Sequence, residues 1–408
     1  MRCGLLGRKL GHSYSPLIHS MLGSYEYVLF EKEPHHLEEF LRCTDFTGCN
    51  VTIPYKKDVI PFLDELSPVA RKLGAVNTIV RSSDGKLVGH NTDYYGFQSL
   101  LARSGIQVSG KKVLVLGSGG ASNTAVHVLK EQGADVVVIS RSGVNNYENI
   151  HIHEDASVIV NTTPVGMYPN AGVSPVSLDS FRHLSGVIDV IYNPSKTKLL
   201  QDAEERDIPC INGLWMLVAQ AKEASEWFTG KKADDGSIEH IHRVLNSKMR
   251  NVVLIGMPGC GKSSVASLLS EKMNRPVFDS DAHVQQVSER SIPDIISTDG
   301  EATFRHLETQ ALRELGQKSG IILATGGGCV TIPENEPLLR QNGTVIWIQR
   351  DIDLLPTDGR PLSQTNKLSD LYQKRKPLYS DFSDFTIVNN GEIRDAVNSI
   401  IKLWEDIT

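Results

Sequence analysis

Eight consecutive residues, Gly256-Met257-Pro258-Gly259-Cys260-Gly261-Lys262-Ser263, combine the groups that hold a polyphosphate. Glycines let successive backbone N–H groups turn inward as an anion nest, and a helix start behind them adds partial positive charge. At this spacing Gly259, Cys260, Gly261, Lys262, Ser263 and Ser264 form the cradle. Lys262 reaches the outer phosphates and the Ser263 hydroxyl ligates Mg²⁺. A plain glycine turn before a surface helix accounts for the glycines but not for Lys-Ser at the matching offset. Further on come Asp279 and Asp281, Arg305 with Glu308, Gly326-Gly327-Gly328, Arg360 and Arg375. Aspartates beside such a loop serve Mg²⁺ or a nucleophilic hydroxyl, and paired arginines clamp a carboxylate bidentately. Taken singly, each of these charges reads equally well as a solvated surface residue.

The first part of the chain offers a different set. Ser13 and Ser15 place two hydroxyls just before Pro16, a carboxylate pocket or an ordinary helix cap. Thr52 and Lys56 flank a Pro turn after the apolar alternation of Cys49 to Ile53. Asn77 and Asn91-Thr92-Asp93 follow short strands. A binding cleft needs such convergent polar groups, but spacing alone does not show that they converge.

The elements that must position these groups are legible in outline. Asn251–Ile255 is a strand into the glycine loop, and Val265 to Lys272 has helical apolar spacing. Val113–Leu116, Gly117-Ser118-Gly119-Gly120-Ala121-Ser122, a helix to about Gln132 and the strand Asp135–Ile139 make a Rossmann-type βαβ unit. Its third glycine position holds Ser122. The second strand ends in Ser140-Arg141-Ser142 rather than an acid, which suits a ribose 2′-phosphate and favours NADP over NAD. Val158–Asn161 and Gly186–Ile191 read as two more strands with polar ends, and Ile150-His151-Ile152 as a possible strand. Pro276 to Asp281 reads as a strand ending in two acids, and Gly213 enters a long helix.

With 408 residues, several domains are expected. Hydrophobic content of 40%, charged content of 22% and a net charge of −6 describe a globular protein and argue against a general nucleic-acid binder. The sequence has no apolar run of membrane-spanning length and opens without a basic leader, so a cytoplasmic protein with no membrane partner is expected. Six scattered cysteines without a CxxC pair fit a reducing compartment and suggest no zinc site.

Both parts resemble known families. Residues 1 to about 248 resemble shikimate dehydrogenase through His12 to Pro16, Asn50 to Lys56, Gly74 to Thr78, Asn91 to Asp93, Gly117 to Ser122 and Gly213 to Gln220. Residues 251 to 408 resemble shikimate kinase through the glycine loop, Asp279-Ser280-Asp281, Phe304-Arg305 with Glu308, Gly326 to Gly328, Arg360-Pro361-Leu362 and Arg375 to Tyr379.

The resemblance implies an α/β protein of three domains. Residues 1–95 with 213–248 would bind the substrate, 96–212 would be a Rossmann-type NADP domain, and 250–408 a P-loop domain with a parallel sheet. It implies two consecutive reactions. The first is NADPH-dependent reduction of 3-dehydroshikimate, the second phosphorylation of the shikimate 3-hydroxyl with ATP and Mg²⁺. Carried over, Ser13 and Ser15 take the carboxylate, and Lys56 with Asp93 forms the catalytic pair. Thr52, Asn77, Tyr192 and Gln220 complete substrate binding. Gly117, Gly119, Gly120 and Ala121 receive the pyrophosphate, Ser140, Arg141 and Ser142 the 2′-phosphate, and Gly213 and Met216 the nicotinamide.

In the kinase part Ser263 and Asp279 hold Mg²⁺ and Asp281 deprotonates the hydroxyl. Arg305 and Arg375 grip the carboxylate, Gly327 and Gly328 approach the ring, and Arg360 on the lid joins Lys262 in stabilising charge on the phosphoryl group. The implied partners are the small-molecule substrates; other enzymes of the same pathway are left open.

Two departures stand out. Only Ser142 to Asn149 separates Arg141 from Ile150, so a helix is missing from the crossover and NADP affinity is put in question. Residues Leu354 to Gly359 lack the arginine that the kinase family carries before Arg-Pro-Leu, so weaker ATP binding or nucleotide tolerance is expected. The alternative is a shikimate kinase with a non-catalytic or quinate-preferring dehydrogenase-like half.

Overall fold

Runs such as Val113–Leu116 and Val252–Ile255 bury every side chain, which a strand can do only when both faces of its sheet are covered. They are interior strands of two parallel sheets. The computed structural model describes residues 1–11, 13–234, 236–355 and 368–407. His12, the Arg360-Pro361-Leu362 segment and its Arg360 lie outside the described residues.

The first sheet is mixed. It contains β1 (Arg2–Gly7), β2 (Glu26–Glu31), β3 (Gly48–Val51), β4 (Glu65–Leu66), β5 (Thr78–Arg81) and β6 (Leu87–His90), in the order β2-β1-β3-β5-β6-β4. Strand β5 runs antiparallel to β3 and β6, so the turns after β3 and β6 are brought near the residues leading into β5. The second sheet is parallel. It comprises β7 (Lys112–Leu116), β8 (Asp135–Ile139), β9 (Val158–Asn161), β10 (Gly186–Asp189) and β11 (Cys210–Ile211), in the order β11-β10-β9-β7-β8. The third is also parallel. It holds β12 (Asn251–Ile255), β13 (Val277–Asp279), β14 (Ile322–Ala324), β15 (Gly343–Gln349) and β16 (Phe385–Val388), in the order β13-β14-β12-β15-β16. Among the described residues no helix is long and apolar enough to cross a membrane.

Two local expectations are corrected. Ile150-His151-Ile152 is not a strand but part of a 3₁₀ turn, Ile150–His153. The strand pattern fails there because Ile152 points to solvent, while His153 is tied to Asn145 at 3.2 Å. The crossover from β8 to β9 contains no α-helix, and asparagine side chains stiffen it. Asn146 Oδ1 accepts from the backbone N–H of Glu148 and of Asn149 at 2.9 and 3.2 Å. Asp281 does not end a strand either. β13 stops at Asp279, whose carboxylate caps the helix Ser280–Ser288 by accepting from the N–H groups of Asp281 and Ala282, at 3.0 and 3.2 Å. That cap puts Asp281 in the first helical turn.

Packing divides the chain into two units. One holds Met1–Val165, Ser174–Tyr192 and Asp202–Arg243; the other holds Gly166–Val173, Asn193–Gln201 and Val244–Thr408. Within the second unit the two short segments are tightly bonded. Tyr168 Oη donates to Gly316 O at 3.0 Å and accepts from Asn342 Nδ2 at 3.1 Å. Ser195 N–H donates to Asn342 Oδ1 at 2.8 Å, and Lys196 N–H to Gln341 O at 2.9 Å.

Candidate active sites

In the first unit, Lys56 and Asp93 meet. Lys56 follows the turn after β3, and its backbone carbonyl accepts from Val76 N–H at 2.7 Å. Asp93 opens the helix Asp93–Ser104, where helix polarity suits a carboxylate. Their Nζ and Oδ2 atoms are 2.6 Å apart, in a half-buried setting.

Asn77 lies beside them. Its Oδ1 accepts from Thr92 N–H at 2.7 Å, and its Nδ2 donates to Thr92 Oγ1 at 3.1 Å. Asn50 Nδ2 supports the same cluster by donating to Thr78 Oγ1 at 3.1 Å. Thr52 is drawn to β1 by its N–H to Leu6 O, at 2.9 Å.

Ser13 and Ser15 do not cap the helix Ser15–Leu22, whose N-cap is Tyr14 with no side-chain cap bond. Ser13 Oγ instead accepts from Ser15 N–H at 3.2 Å. The rings of Tyr14 and Tyr192 meet edge to face at 6.4 Å, which brings the end of β10 beside this serine pair. Burial raises the Tyr192 phenol pKa, with nearby Tyr14 adding to the shift.

Gly213 sits where no other residue fits: a Cβ there would lie 1.9 Å from Val190 O. The helix Leu214–Thr229 starts behind it and carries Met216 and Gln220 on one face. Both press on Gly96 of the Asp93 helix, where a Cβ would lie 2.9 Å from Met216 O and 3.0 Å from Gln220 Cβ.

The nucleotide loop after β7 explains its own odd residue. Ser122 is buried and donates from Oγ to Gly117 O at 2.7 Å, closing the turn by a bond where glycine would close it by small size. Gly117 has φ +108°, open to glycine. Gly119 and Gly120 face open space at the start of the helix Gly120–Glu131, and Ala121 is the next residue in it. That opening fits a pyrophosphate. Arg141 and Ser142 are exposed past the end of β8, while Ser140 Oγ turns towards Gly143.

In the second unit a cavity of about 580 Å³ opens at the carboxyl ends of the third sheet. Gly259, Gly261, Lys262, Ser263 and Ser264 line it; Cys260 is buried beneath, with its carbonyl accepting from Asn389 Nδ2 at 2.7 Å. Lys262 Nζ folds back on the loop, donating to Gly256 O at 2.8 Å and Met257 O at 3.0 Å. It must leave these carbonyls to meet a phosphate. Ser263 Oγ donates to Asp279 Oδ2 at 3.1 Å, so a hydroxyl and a carboxylate face one point beside the loop, a donor set that suits Mg²⁺.

Asp281 and Glu308 converge on Gly326. A Cβ there would lie 2.5 Å from Asp281 Oδ1 and 2.2 Å from Glu308 Oε1, and neither oxygen has a hydrogen-bond partner among the described residues. Burial, then the charges of Glu308 and Asp279, push the Asp281 pKa up to about 6 against the pull of Lys262 and Arg305. Burial also raises Glu308, although Arg305 Nη1 donates to its Oε2 at 2.7 Å. Arg305 packs on Gly328, where a Cβ would lie 2.2 Å from Nη2, and Arg375 Nη1 donates to Gly327 O at 3.1 Å. Two guanidinium groups therefore flank the glycine strip. Glu308 is legible in sequence as a motif member, but its place against Asp281 is not. Arg350, which also lines the cavity, escapes the sequence reading. Its signal is an arginine just after the apolar run Val345–Ile348, at a strand's carboxyl end.

Comparison with known proteins finds relatives of both parts of the chain. A family model described as shikimate dehydrogenase substrate binding domain matches residues 5–79, and one described as shikimate kinase matches residues 258–405. A shikimate dehydrogenase (NADP(+)) of Clostridium perfringens (strain SM101 / Type A) is 38% identical over 268 residues, covering 60% of this chain and 98% of that protein. Among solved structures, a chorismate mutase/shikimate 5-dehydrogenase fusion protein from Clostridium acetobutylicum is 36% identical with TM-score 0.58, covering 60% of this chain and 97% of its own. A shikimate 5-dehydrogenase from Thermus thermophilus, in complex with NADP(H) and shikimate, is 31% identical with TM-score 0.54, covering 60% and 99%.

Proposed function

The chain belongs to the shikimate dehydrogenase family and carries a shikimate kinase domain in its C-terminal part, and from that premise we propose that it makes shikimate and then phosphorylates it. The observation that carries the reading is one chain holding both a Lys56–Asp93 pair at 2.6 Å and a P-loop cavity with two arginines at its acceptor end. The assigned domains are 1–95 with 213–248, 96–212, and 250–408.

In the first reaction NADPH supplies the hydride to the 3-carbonyl carbon of 3-dehydroshikimate. The carbonyl oxygen gains a proton from the Lys56 ammonium, and Asp93 holds that ammonium against the oxygen. Ser13 and Ser15 take the ring carboxylate, while Thr52, Asn77, Tyr192 and Gln220 take the remaining polar groups. The open glycines 119 and 120 fit the cofactor pyrophosphate, and Arg141 and Ser142 its 2′-phosphate.

In the second reaction the new 3-hydroxyl gives its proton to Asp281 as its oxygen bonds the γ-phosphorus of ATP, and ADP leaves. Arg305 and Arg375 hold the carboxylate, and Ser263 with Asp279 would hold the Mg²⁺ that neutralises phosphate charge. Arg360 is assigned to the phosphoryl group on resemblance.

A coupled assay from 3-dehydroshikimate, NADPH and ATP, following both cofactors, tests the reading. Shikimate-dependent NADP reduction should disappear in Lys56→Ala and survive in Lys262→Ala; its absence from the unaltered chain would leave only the kinase reading.

A further inference from the structure

The order of the third sheet sorts the cavity into ends. The loop after central β12 cradles phosphates. On one side, β13 and β14 lead into Asp281 and Gly326 to Gly328, the end assigned to the acceptor. On the other side lie β15 and β16. Arg350 follows β15 directly and lines the cavity with Ile393, which begins the helix Ile393–Ile407.

The backbone that carries Arg350 is fixed on both sides. Gln349 O accepts from Asn389 N–H at 2.8 Å, and Asp351 N–H donates to Asn390 Oδ1 at 2.9 Å. Asn389 in turn bonds Cys260 O, tying this corner to the P-loop. The other described cations lining the cavity have partners: Lys262 on two carbonyls, Arg305 on Glu301 and Glu308, Arg375 on Gly327. Arg350 Nε is buried and has no acceptor among the described residues. A buried N–H without an acceptor is costly, and a ligand that supplies one recovers that cost.

We infer that Arg350 binds the nucleoside portion of the phosphoryl donor, with Ile393 beside it as the apolar contact for the base. A guanidinium presents a flat face for stacking on a purine ring and an N–H edge for a ribose or base acceptor, and a branched aliphatic side chain packs on the same ring system. The charge of Lys262 and the loop N–H groups already serves the phosphates, so Arg350 discriminates by nucleoside and not by phosphate count.

This rests on reading the cavity as a nucleoside triphosphate site. The test uses the full chain with Arg350→Met and Arg350→Lys. ATP and inorganic tripolyphosphate are each titrated by calorimetry, and steady-state kinase and dehydrogenase rates are measured on the same samples. Both variants should bind ATP about tenfold more weakly and raise its KM to match, with tripolyphosphate affinity, KM for shikimate and the dehydrogenase rate unchanged. Equal losses for ATP and tripolyphosphate, full ATP affinity in Arg350→Lys, or no loss in either variant would overturn the inference. A wild-type chain that binds ATP but does not phosphorylate shikimate would refute the proposed reaction and leave the Arg350 measurement valid.

Discussion

At the scale of the residue, two acids carry opposite burdens. Asp93 stays paired with Lys56, whereas Asp281 sits among carboxylates and its Oδ1 has no hydrogen-bond partner among the described residues. Its pKa is raised to about 6, so its base form is depleted as pH falls through 6, and kcat/KM for the kinase should drop about tenfold per pH unit below that. Removing Glu308 as Glu308→Gln deletes the nearest like charge, so the acid limb of that profile should move to lower pH. A limb that stays in place would mean that another group titrates. Lys56→Met should cost the dehydrogenase roughly 10²–10⁴-fold in kcat and leave the kinase rate intact, checked by assaying both on one sample. The P-loop, Asp279, Asp281, Arg305 and Arg375 were legible as separate residues, and the structure gathers them around one cavity. The Asp281–Glu308 convergence was not, since it depends on neighbours far apart in sequence, and Arg350 was passed over although it follows an apolar run.

At the scale of the element, backbone clearance matters more than propensity. Gly213 links β11 to the helix bearing Met216 and Gln220 and packs on the segment just past β10, where a methyl would meet Val190 O at 1.9 Å. Gly213→Ala should therefore displace that helix and lower stability by about 1–3 kcal/mol or more, with dehydrogenase activity lost before kinase activity; thermal melts beside both assays would show this. Strands and P-loop helix were readable from apolar runs bounded by glycine. The shortened crossover after β8 was readable only as a deficit. Counting residues showed that a helix could not fit, but Ile150-His151-Ile152 looked like a strand because two apolar residues alternate. Asn145, Asn146 and Asn149 decide the matter by side-chain bonds to the loop, a local competition that periodicity cannot see. The same applies to Asp279, whose capping bonds moved Asp281 from a strand end into a helix.

At the scale of the whole molecule, the two chemistries should separate by mutation. Lys262→Met should abolish shikimate phosphorylation, by about 10³-fold or more, and leave NADP reduction at its wild-type rate, measured in the coupled assay. A loss of both would show that the units are not independent in function. The number of sheets and the order of the chemistries could be read from the chain, since each sheet occupies a continuous stretch. The membership of Gly166–Val173 and Asn193–Gln201 in the second unit could not. The first is a loop and the second a loop that runs into the helix Lys198–Glu204, and what fixes them is Gly316, Gln341 and Asn342, well over a hundred residues away.

That membership bears on how such a gene could be divided. The chain passes from one unit to the other at 165/166, 173/174, 192/193, 201/202 and 243/244, so no single cut yields both units whole. A fission between residues 249 and 250 would strip Gly316 O, Gln341 O and Asn342 of the donors and acceptors that Tyr168, Ser195 and Lys196 supply. Each of these four lost bonds is worth about 1 kcal/mol, so the fragment 250–408 should melt roughly 8–16 °C below the full chain and precipitate more readily. Once joined in this manner, two enzymes are no longer parts in series but a lineage that cannot cheaply return to separate genes.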